Sequence, residues 1–371
     1  MKIAINTRFL LPNGLEGIGR YTQEISKRLV ALCPEDEFIY LFDRKYDERY
    51  LFEKNVKGVV IHPQARHPIL WYWWFEKSLP SFFKKNKVDL FISMDGYCSL
   101  KSTIPTIMVI HDLAYVHYPD QIKTSARKYY EKWVPRFCRR ADQLITISEA
   151  SRTDLVNQYQ LEKKNIGIIP NGFNPSFSPL NEEQKLAARF QFADGKKFFC
   201  TLGAIHPRKN IEGTIRAFNH YKSETKSKDK LLVIGRMAWK NDRLKKLVEN
   251  SPYKDDIKFL GYLPDEEVRL ILGSAKALLF LSFFEGFGVP LLEAMQLKTP
   301  TIYSNTSVMP EIAGATGIPV DPSDLNEISN AMIGVSTFEN EAVQKLRDKK
   351  LADYNWDRAA QLMKGYVEAV R

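Results

Sequence analysis

Two glutamates flank a glycine turn in the segment FFEGFGVPLLEAM, residues 283–295. Glu285 lies directly before the turn, and Glu293 lies about one turn into the helix that we expect after it. Amides from Gly288 and Val289 onward could bind anionic oxygens, and each carboxylate could accept from sugar or ribose hydroxyls. The simpler interpretation is two acids that complement the helix dipole, by roughly 0.3–1 kcal/mol each. The glycine turn between both acids is more specific than capping requires, so the segment predicts a ligand site.

Two adjacent cations follow a predicted strand in the segment GAIHPRKN, residues 203–210. Arg208 and Lys209 stand at the entrance to a predicted helix. Such a pair can hold a diphosphate, the arginine through its planar fork and the lysine as a point charge. Two solvated basic residues in a turn are the alternative.

A histidine and a glycine loop mark the first half of the chain. His111 and Asp112 directly follow the apolar run TIMVI, so they stand where a strand is expected to end. His111 could donate a hydrogen bond to a substrate, or it could be a satisfied polar residue at a strand terminus. Gly17 and Gly19 lie in the loop NGLEGIGR, which matches neither GxGxxG nor the Walker pattern. Their glycines permit either the close approach of a phosphate or a tight turn.

The elements that position these residues alternate between short hydrophobic runs and amphipathic stretches, which predicts βαβ units with parallel sheets. In the first half, we expect strands at 2–6, 37–42, 59–61, 89–93, 106–111 and 143–147, and helices at 17–32, 72–86, 122–138 and 149–159. In the second half, we expect strands at 197–203, 231–234, 257–261, 277–281 and 301–303, and helices at 210–222, 240–249, 265–275, 289–298, 324–334 and 356–371.

The segment IGIIPNGFNPSFSP, residues 166–179, is rich in proline and glycine and shows no periodicity. We place the junction between two domains there, since 371 residues exceed one comfortable core. Doubly wound domains bind ligands at the carboxyl ends of their strands, so a cleft between the two is the expected active site.

Composition narrows the class of protein. The chain is 44% hydrophobic and 26% charged, and no apolar run approaches the roughly 18–20 residues that span a bilayer. We read no signal peptide at the N-terminus. The four cysteines and six histidines show no metal-ligand spacing, which favours free thiols in a reducing cytoplasm. The net charge of +10 indicates an anionic partner, whether nucleic acid, a membrane surface or a phosphorylated small molecule.

An aromatic and basic region lies in the first half. Residues 71–75 read WYWWF, and residues 123–140 read KTSARKYYEKWVPRFCRR. Such surfaces suit docking on a membrane or an acidic acceptor. Tryptophans packed in the core with lysines outside are an equally good interpretation.

The motifs together resemble a known family. EGFGVPLLEA resembles the E-x7-E element of retaining glycosyltransferases of family 4, mannosyltransferase-like members included, and further segments follow in the family's order: GIGRY, VIHDL, ADQLITISEAS, IPNGF, LGAIHPRKN, FLGYLPDEE, SNTSVMPEIAG and NWDRAA. The resemblance implies the α/β GT-B fold, with two Rossmann-like doubly wound domains facing across a cleft. Residues 1–170 would bind the acceptor, residues 171–353 would bind the nucleotide sugar, and a helix at 354–371 would cross back to the first domain.

For the first domain, the resemblance implies four site residues. Gly17 and Gly19 would line the acceptor side and the donor phosphates. His111 would contact the transferred sugar near its 6-hydroxyl, with Asp112 beside it at the donor.

The resemblance implies that Arg208 and Lys209 bind the donor diphosphate and also stabilise the leaving group. Many relatives have Gly-Arg at the start of this motif, whereas this chain has Gly203 followed by Ala204. The number of cations on the phosphate is therefore an open point.

For the sugar and nucleotide, the resemblance implies that Glu285 holds the region of the sugar's 3-hydroxyl. Amides of Phe287, Gly288 and Val289 would bind sugar and phosphate, and Glu293 would bind the ribose. Catalysis would retain the anomeric configuration by front-face attack. The chain has no DxD motif, so no divalent metal and no other cofactor is expected.

The sequence thus predicts a hexosyltransferase with GDP-mannose as the first choice of donor and a UDP-hexose as the second. The acceptor would be a glycan or lipid-linked saccharide of a surface polysaccharide, met in the cytoplasm or at the inner face of an anionic membrane, with no nucleic acid involved. Two alternatives are a sugar-nucleotide epimerase of the same fold, which needs no acceptor, and a non-catalytic scaffold that binds membrane or nucleic acid. Loss of Glu285 or Lys209 would leave such a scaffold's function intact.

Overall fold

The computed structural model describes residues 1–12, 14–237 and 242–370, and its contacts divide the chain into two compact units. The first unit comprises residues 1–171 with 355–371, and the second comprises residues 172–354. Each unit is built on one parallel sheet whose strands are mostly buried. Buried parallel strands require cover on both faces, and the helices of each unit supply it.

The first unit has a seven-stranded sheet. Its strands are β1 Lys2–Asn6, β2 Glu37–Phe42, β3 Val56–Val60, β4 Leu90–Ser93, β5 Thr106–Ile110, β6 Gln143–Thr146 and β7 Ile166–Ile168. All pairs are parallel, in the order β3-β2-β1-β4-β5-β6-β7. The order reverses direction between β1 and β4, and such a reversal is where doubly wound sheets open a crevice for ligands.

Six helices of the first unit precede the second unit in the chain. They are α1 Gly17–Leu32, α2 Pro68–Trp73, α3 Leu79–Asn86, α4 Ala114–His117, α5 Thr124–Arg140 and α6 Glu149–Tyr159. A π-helical turn at Trp74–Ser78 joins α2 to α3. The helix predicted at 72–86 therefore starts earlier, at Pro68, and contains an irregular turn. Glu76 on that turn is buried, and its carboxylate accepts from the amides of Leu100 and Lys101 at 2.9 and 3.1 Å.

The second unit repeats the plan with a six-stranded sheet. Its strands are β8 Phe198–Leu202, β9 Lys230–Ile234, β10 Ile257–Gly261, β11 Leu278–Phe280, β12 Thr301–Ser304 and β13 Ile318–Val320. The order is β10-β9-β8-β11-β12-β13, all parallel, with the reversal between β8 and β11. Its helices are α7 Glu182–Ala193, α8 Ile211–Thr225, α9 Asp242–Glu249, α10 Asp265–Ser274, α11 Val289–Gln296, α12 Met309–Ile312, α13 Leu325–Gly334 and α14 Glu341–Asp353.

The last helix, α15 Trp356–Glu368, belongs to the first unit and packs against α1. The indole of Trp356 meets the ring of Tyr21 edge to face, with centroids 6.0 Å apart. Arg28 of α1 donates from Nε to Asp357 at 2.6 Å.

The α/β prediction with two doubly wound parallel sheets is confirmed, while six of the described elements were missed, namely β7, β13 and the helices α4, α7, α12 and α14. Strands β7 and β13 have three residues each and contain Gly or Pro, so neither gives a periodic signal. The proline- and glycine-rich segment at 166–179 therefore begins with a strand. Helices α7 and α14 also went unpredicted, although Asn181 and Gln184 form a capping box at the start of α7. The first two residues of the helix predicted at 240–249 lie outside the described residues.

No helix in the described part of the chain is long and apolar enough to cross a membrane. The four cysteines are all buried and free of disulfide bonds.

Candidate active site

Each sheet carries a cation and a carboxylate at the point where its strand order reverses. In the second unit, Arg208 and Lys209 follow β8, and Glu285 follows β11. In the first unit, Arg8 follows β1 and Asp95 follows β4. Because these strands are central neighbours, residues far apart in sequence meet at one edge of each sheet.

The loop after β8 holds its two cations in a rigid turn. Gly203 has a φ of +139°, a conformation that side chains other than glycine rarely adopt. Pro207–Lys209 form a 3₁₀ turn, and the Nδ1 atom of His206 accepts from the amide of Arg208 at 3.4 Å. Asn210 then caps α8, accepting from the amide of Gly213 at 3.2 Å. The turn fixes the direction of both cationic side chains.

Both cations converge on one carboxylate. Arg208 donates from Nη1 to the carbonyl of Phe284 at 2.6 Å and to Oε2 of Glu285 at 3.1 Å. Lys209 donates to Oε1 of Glu285, and its ammonium lies 5.4 Å from the ring centroid of Phe280. Sequence reasoning placed these three residues in one site, and the structure brings their side chains into direct contact.

The electrostatics of this trio favour an anionic ligand. Burial alone would raise the pKa of Glu285, but attraction to Lys209 and Arg208 outweighs it and lowers that pKa. The carboxylate therefore stays ionised at neutral pH. Two cations share one carboxylate, which leaves one positive charge in excess within the trio. The Arg208 and Lys209 side chains are 20% and 17% exposed, so a solvent-borne anion can reach them.

The glycine turn that follows Glu285 presents backbone donors. Gly288 has a φ of +101° and forms the N-cap of α11. Among the described residues, the amides of Phe287, Gly288 and Val289 donate to no protein group. Glu293 is buried in the second turn of α11. These features form the donor array that anions bind at helix N-termini.

His111 stands at the carboxyl end of β5, held from two sides. Its Nε2 atom lies 2.8 Å from the carbonyl of Met94, and its ring meets Tyr21 edge to face at 4.9 Å. Since a carbonyl only accepts, Nε2 carries the proton. Burial lowers the pKa of His111, although the bond to Met94 opposes this effect. The ring is therefore neutral near pH 7, and its Nδ1 atom can only accept a hydrogen bond.

Of the other predicted residues of the first unit, Asp112 and Gly19 have visible structural roles and Gly17 has none. Asp112 accepts from the amide of Ala114 at 2.9 Å and so holds the first turn of α4. A Cβ on Gly19 would lie 2.6 Å from the carbonyl oxygen of Phe9, so this glycine permits close packing of α1 on the preceding loop. Gly17 meets nothing within 4 Å, and its backbone faces open space.

Sequence reasoning missed an ion pair at the reversal point of the first sheet. Arg8 donates from Nε to Asp95 at 2.6 Å, and their side chains are only 4% and 3% exposed. The guanidinium also lies 4.3 Å from the ring centroid of Tyr97 and 5.2 Å from that of Phe75. Burial alone would lower the pKa of Arg8, but attraction to Asp95 outweighs it and raises the pKa. The only signal in the sequence is that each residue stands two positions after a predicted strand.

Across the described ranges, no three His, Cys, Asp or Glu side chains are grouped so that they could hold a metal ion.

Two family models match the chain. The model described as glycosyltransferase family 4 matches residues 15–177, and the model described as glycosyl transferases group 1 matches residues 182–350. The chain therefore belongs to the glycosyltransferases of family 4. The resemblance seen in the motifs is confirmed, and so is the prediction of a hexosyltransferase.

Among its relatives is the O-antigen chain mannosyltransferase B of Escherichia coli, 27% identical over 331 residues that cover 85% of each chain. Another is the O-antigen chain mannosyltransferase RfbU of Salmonella typhimurium, 24% identical over 371 residues that cover 95% of this chain and 97% of the relative.

Solved structures share the fold. Sucrose-phosphate synthase from Thermosynechococcus elongatus matches with a TM-score of 0.78 at 17% identity, covering 100% of this chain and 98% of that one. Anabaena HepE in complex with UDP and glucose matches with a TM-score of 0.76 at 15% identity, covering 100% of both chains. The GT-B fold prediction is confirmed.

Proposed function

We propose that this glycosyltransferase moves mannose from GDP-mannose to a saccharide of a surface polysaccharide such as O-antigen, with retention of the anomeric configuration. The second unit would bind the donor, and the first would bind the acceptor. The proposal rests on the contact of Arg208 and Lys209 with Glu285. This contact places partly exposed, excess positive charge, which suits a diphosphate, beside an ionised carboxylate, which suits sugar hydroxyls.

The donor diphosphate would lie against Arg208 and Lys209 and the amides of the glycine turn. In this position it would take up the excess positive charge of the trio and supply acceptors for the amides of Phe287, Gly288 and Val289. The same donors would stabilise the charge that develops on the departing phosphate. Glu293, one turn further along α11, would accept from the ribose hydroxyls.

Glu285 and His111 would each bind a hydroxyl of the transferred sugar. Glu285 stays ionised and would accept from the hydroxyls near C3, while the Nδ1 atom of His111 would accept from a hydroxyl near C6. His111 would thus accept a hydrogen bond from the sugar through Nδ1, whereas the sequence suggested that it could donate one.

Retention would proceed by front-face attack. Glu285 is a poor nucleophile and a weak base, because two cations hold its charge and lower its pKa. The glycosidic oxygen of the leaving phosphate would instead take the proton of the acceptor hydroxyl as the new bond forms. The cations of the trio would offset the phosphate charge, so we propose that no divalent metal is needed.

GDP-mannose is the preferred donor, because both O-antigen relatives are named mannosyltransferases and align with most of this chain. A UDP-hexose is the second choice, since the HepE neighbour was solved with UDP and glucose. The acceptor would be a glycan or lipid-linked saccharide, met in the cytoplasm at the inner face of the membrane.

Incubation with radiolabelled GDP-mannose, UDP-glucose and UDP-galactose in buffer with EDTA tests the proposal. We expect transfer or slow hydrolysis from GDP-mannose alone, and NMR of the product should show an anomeric configuration equal to that of the donor. The Lys209→Met variant should transfer sugar about 10²–10³-fold more slowly, and Lys226→Met, at an exposed position, should match the wild type. Failure to consume any of the three donors would contradict the proposal, and conversion of the donor sugar without acceptor would favour an epimerase.

A further inference from the structure

Helix α2 has an unusual surface for its composition. Its six residues read PILWYW, yet none of them is buried. The side chains point to two sides. Trp71 and Tyr72 pack inward, Trp71 stacking on Tyr130 at 5.6 Å and Tyr72 lying 5.4 Å from Trp133 of α5. Ile69, Leu70 and Trp73 point to solvent, with Ile69 69% and Trp73 55% exposed.

Cations are frequent in the segment that contains this apolar face and on the helix that packs against α2. Residues 66–87 contain five lysines or arginines and a single acid, Glu76, whose carboxylate turns inward to backbone amides. On the adjacent helix α5, Lys132 and Arg136 lie 5.2 and 5.4 Å from the ring of Trp133. Neither of them, nor Lys128 one turn earlier, pairs with a carboxylate among the described residues.

We propose that the face formed by Ile69, Leu70 and Trp73, with the cations of α5 beside it, docks the enzyme on an anionic lipid bilayer. This docking face would hold the enzyme at the inner membrane, and the inference rests on the location given under the proposed function. The apolar side chains would enter the headgroup boundary, where tryptophan is favoured, while Lys128, Lys132 and Arg136 would meet lipid phosphates.

The charge distribution selects a bilayer over a protein partner. Exposed apolar side chains along one short helix, with uncompensated cations on the neighbouring helix, match the layered chemistry of a membrane, with acyl chains below anionic headgroups. Protein interfaces are instead depleted in lysine.

Docking at this face would serve the acceptor site. Trp71, on the inner side of α2, lies 5.8 Å from Tyr97, and Tyr97 covers Arg8 beside Asp95. The docking face and the carboxyl edge of the first sheet are thus linked by one continuous layer of side chains. A saccharide on a lipid carrier would reach that edge from the bilayer that α2 contacts.

Flotation with two kinds of vesicle tests the docking face. We expect the full chain to float at low salt with phosphatidylcholine vesicles that contain about one third phosphatidylglycerol, and to remain unbound with phosphatidylcholine alone. About 0.5 M NaCl should release it, because screening shortens the reach of the charges. Absence of flotation at low salt, or equal binding to both vesicles, would overturn the proposal.

Matched variants locate the surface. The Ile69→Ser/Trp73→Ser pair should weaken vesicle binding at least about tenfold, since two large apolar groups no longer insert. Its control is Leu186→Ser/Phe190→Ser, which removes side chains 51% and 66% exposed on α7 of the second unit and should leave binding unchanged. Equal loss in both pairs would contradict the assignment.

A charge series completes the test. Lys128→Gln/Lys132→Gln/Arg136→Gln should weaken binding by about fivefold for each charge removed. The control Lys226→Gln/Lys228→Gln/Lys349→Gln, on exposed positions of the second unit, should have little effect. A concentration-dependent dimer that the Trp73→Ser change abolishes would instead make the face a self-interface and overturn the lipid proposal.

The outcomes separate docking from catalysis. Docking variants should turn over donor with a short soluble acceptor as fast as the wild type. A chain that floats through this face but consumes no sugar nucleotide would leave docking intact and refute the proposed transferase, and the converse result would refute docking alone.

Discussion

The carboxyl edges of the two sheets carry the same kinds of charged groups in opposite environments. In the first unit, Arg8 and Asp95 form a one-to-one pair sealed beneath the rings of Tyr97 and Phe75. In the second, two partly exposed cations share the single carboxylate of Glu285. The first edge is neutral and closed, and the second is positive and open.

This difference separates a positioning role from a binding role. A buried charge costs several kcal/mol of desolvation, which a one-to-one pair with good geometry can offset. Such a pair fixes the loops after β1 and β4, including Met94, whose carbonyl holds His111. In an open site with excess positive charge, part of the electrostatic attraction of the cations remains available to bind an anionic ligand. We therefore expect changes at the first edge to act mainly on stability and changes at the second mainly on turnover.

The largest expected effect is on stability, from Arg8→Met. This change leaves Asp95 charged and buried without its partner, which should cost about 3–5 kcal/mol of unfolding free energy. Urea denaturation measures it. The control Arg208→Met, at the open edge, should cost no more than about 1 kcal/mol, because Lys209 still pairs with Glu285.

A double variant distinguishes lost pairing from lost packing. Arg8→Met/Asp95→Leu removes both charges and should recover most of the stability lost by Arg8→Met. A double variant that is no more stable than the single one would mean that the contacts of the Arg8 side chain with the aromatic rings, and not its charge, stabilise this edge.

The second effect is on turnover, from Lys209→Met. Methionine keeps an unbranched apolar stem beside Gly203 but removes the charge proposed to stabilise the leaving diphosphate. We expect the rate of sugar transfer to fall by about 10²–10³-fold, the usual loss when one transition-state donor is removed. The melting temperature should stay close to that of the wild type. A variant that keeps its rate but melts early would reverse the roles assigned to the two edges.

The glycines of the first unit give a smaller effect with a built-in control. Gly19→Ala should destabilise by about 1–3 kcal/mol, because its Cβ would stand 2.6 Å from the carbonyl oxygen of Phe9. The Cβ that Gly17→Ala adds meets no atom within 4 Å, so this variant should gain up to about 1 kcal/mol of helix stability. Thermal melts measure both. Loss of transfer in a stable Gly17→Ala protein would show that substrate approaches this backbone.

The open site could be read from the sequence because its parts are local. Arg208 with Lys209, and Glu285 with the glycine turn, each lie within a short segment next to a strand, so two motifs suffice to propose their meeting. The fold class followed from the alternation of strands and helices for the same reason. The polarity of His111 did not follow, since it depends on the carbonyl of Met94, 17 residues away.

The closed pair could not be read in this way. Arg8 and Asp95 are 87 residues apart, and only the order of strands in the sheet makes β1 and β4 neighbours. The exposure of Trp73 beside the complete burial of Trp74 was equally hidden. Adjacent tryptophans give no periodicity, and packing against α5 together with the π-helical turn decides which ring faces solvent.

The smallest effect is a pH dependence that separates the two edges. In both His111 and Glu285 the folded-state pKa is lowered, so both make the fold less stable as pH falls. For His111 the loss begins below the unfolded value of about 6.5, with a slope of at most about 1.4 kcal/mol per pH unit. For Glu285 the loss of stability begins only below about pH 4.3.

His111→Gln should therefore flatten the pH dependence of the unfolding free energy between about pH 5 and 7, whereas Glu285→Gln should not. The exposed His62→Gln is the control, and a His111→Gln profile that parallels the wild type would place the neutral-pH titration elsewhere in the fold.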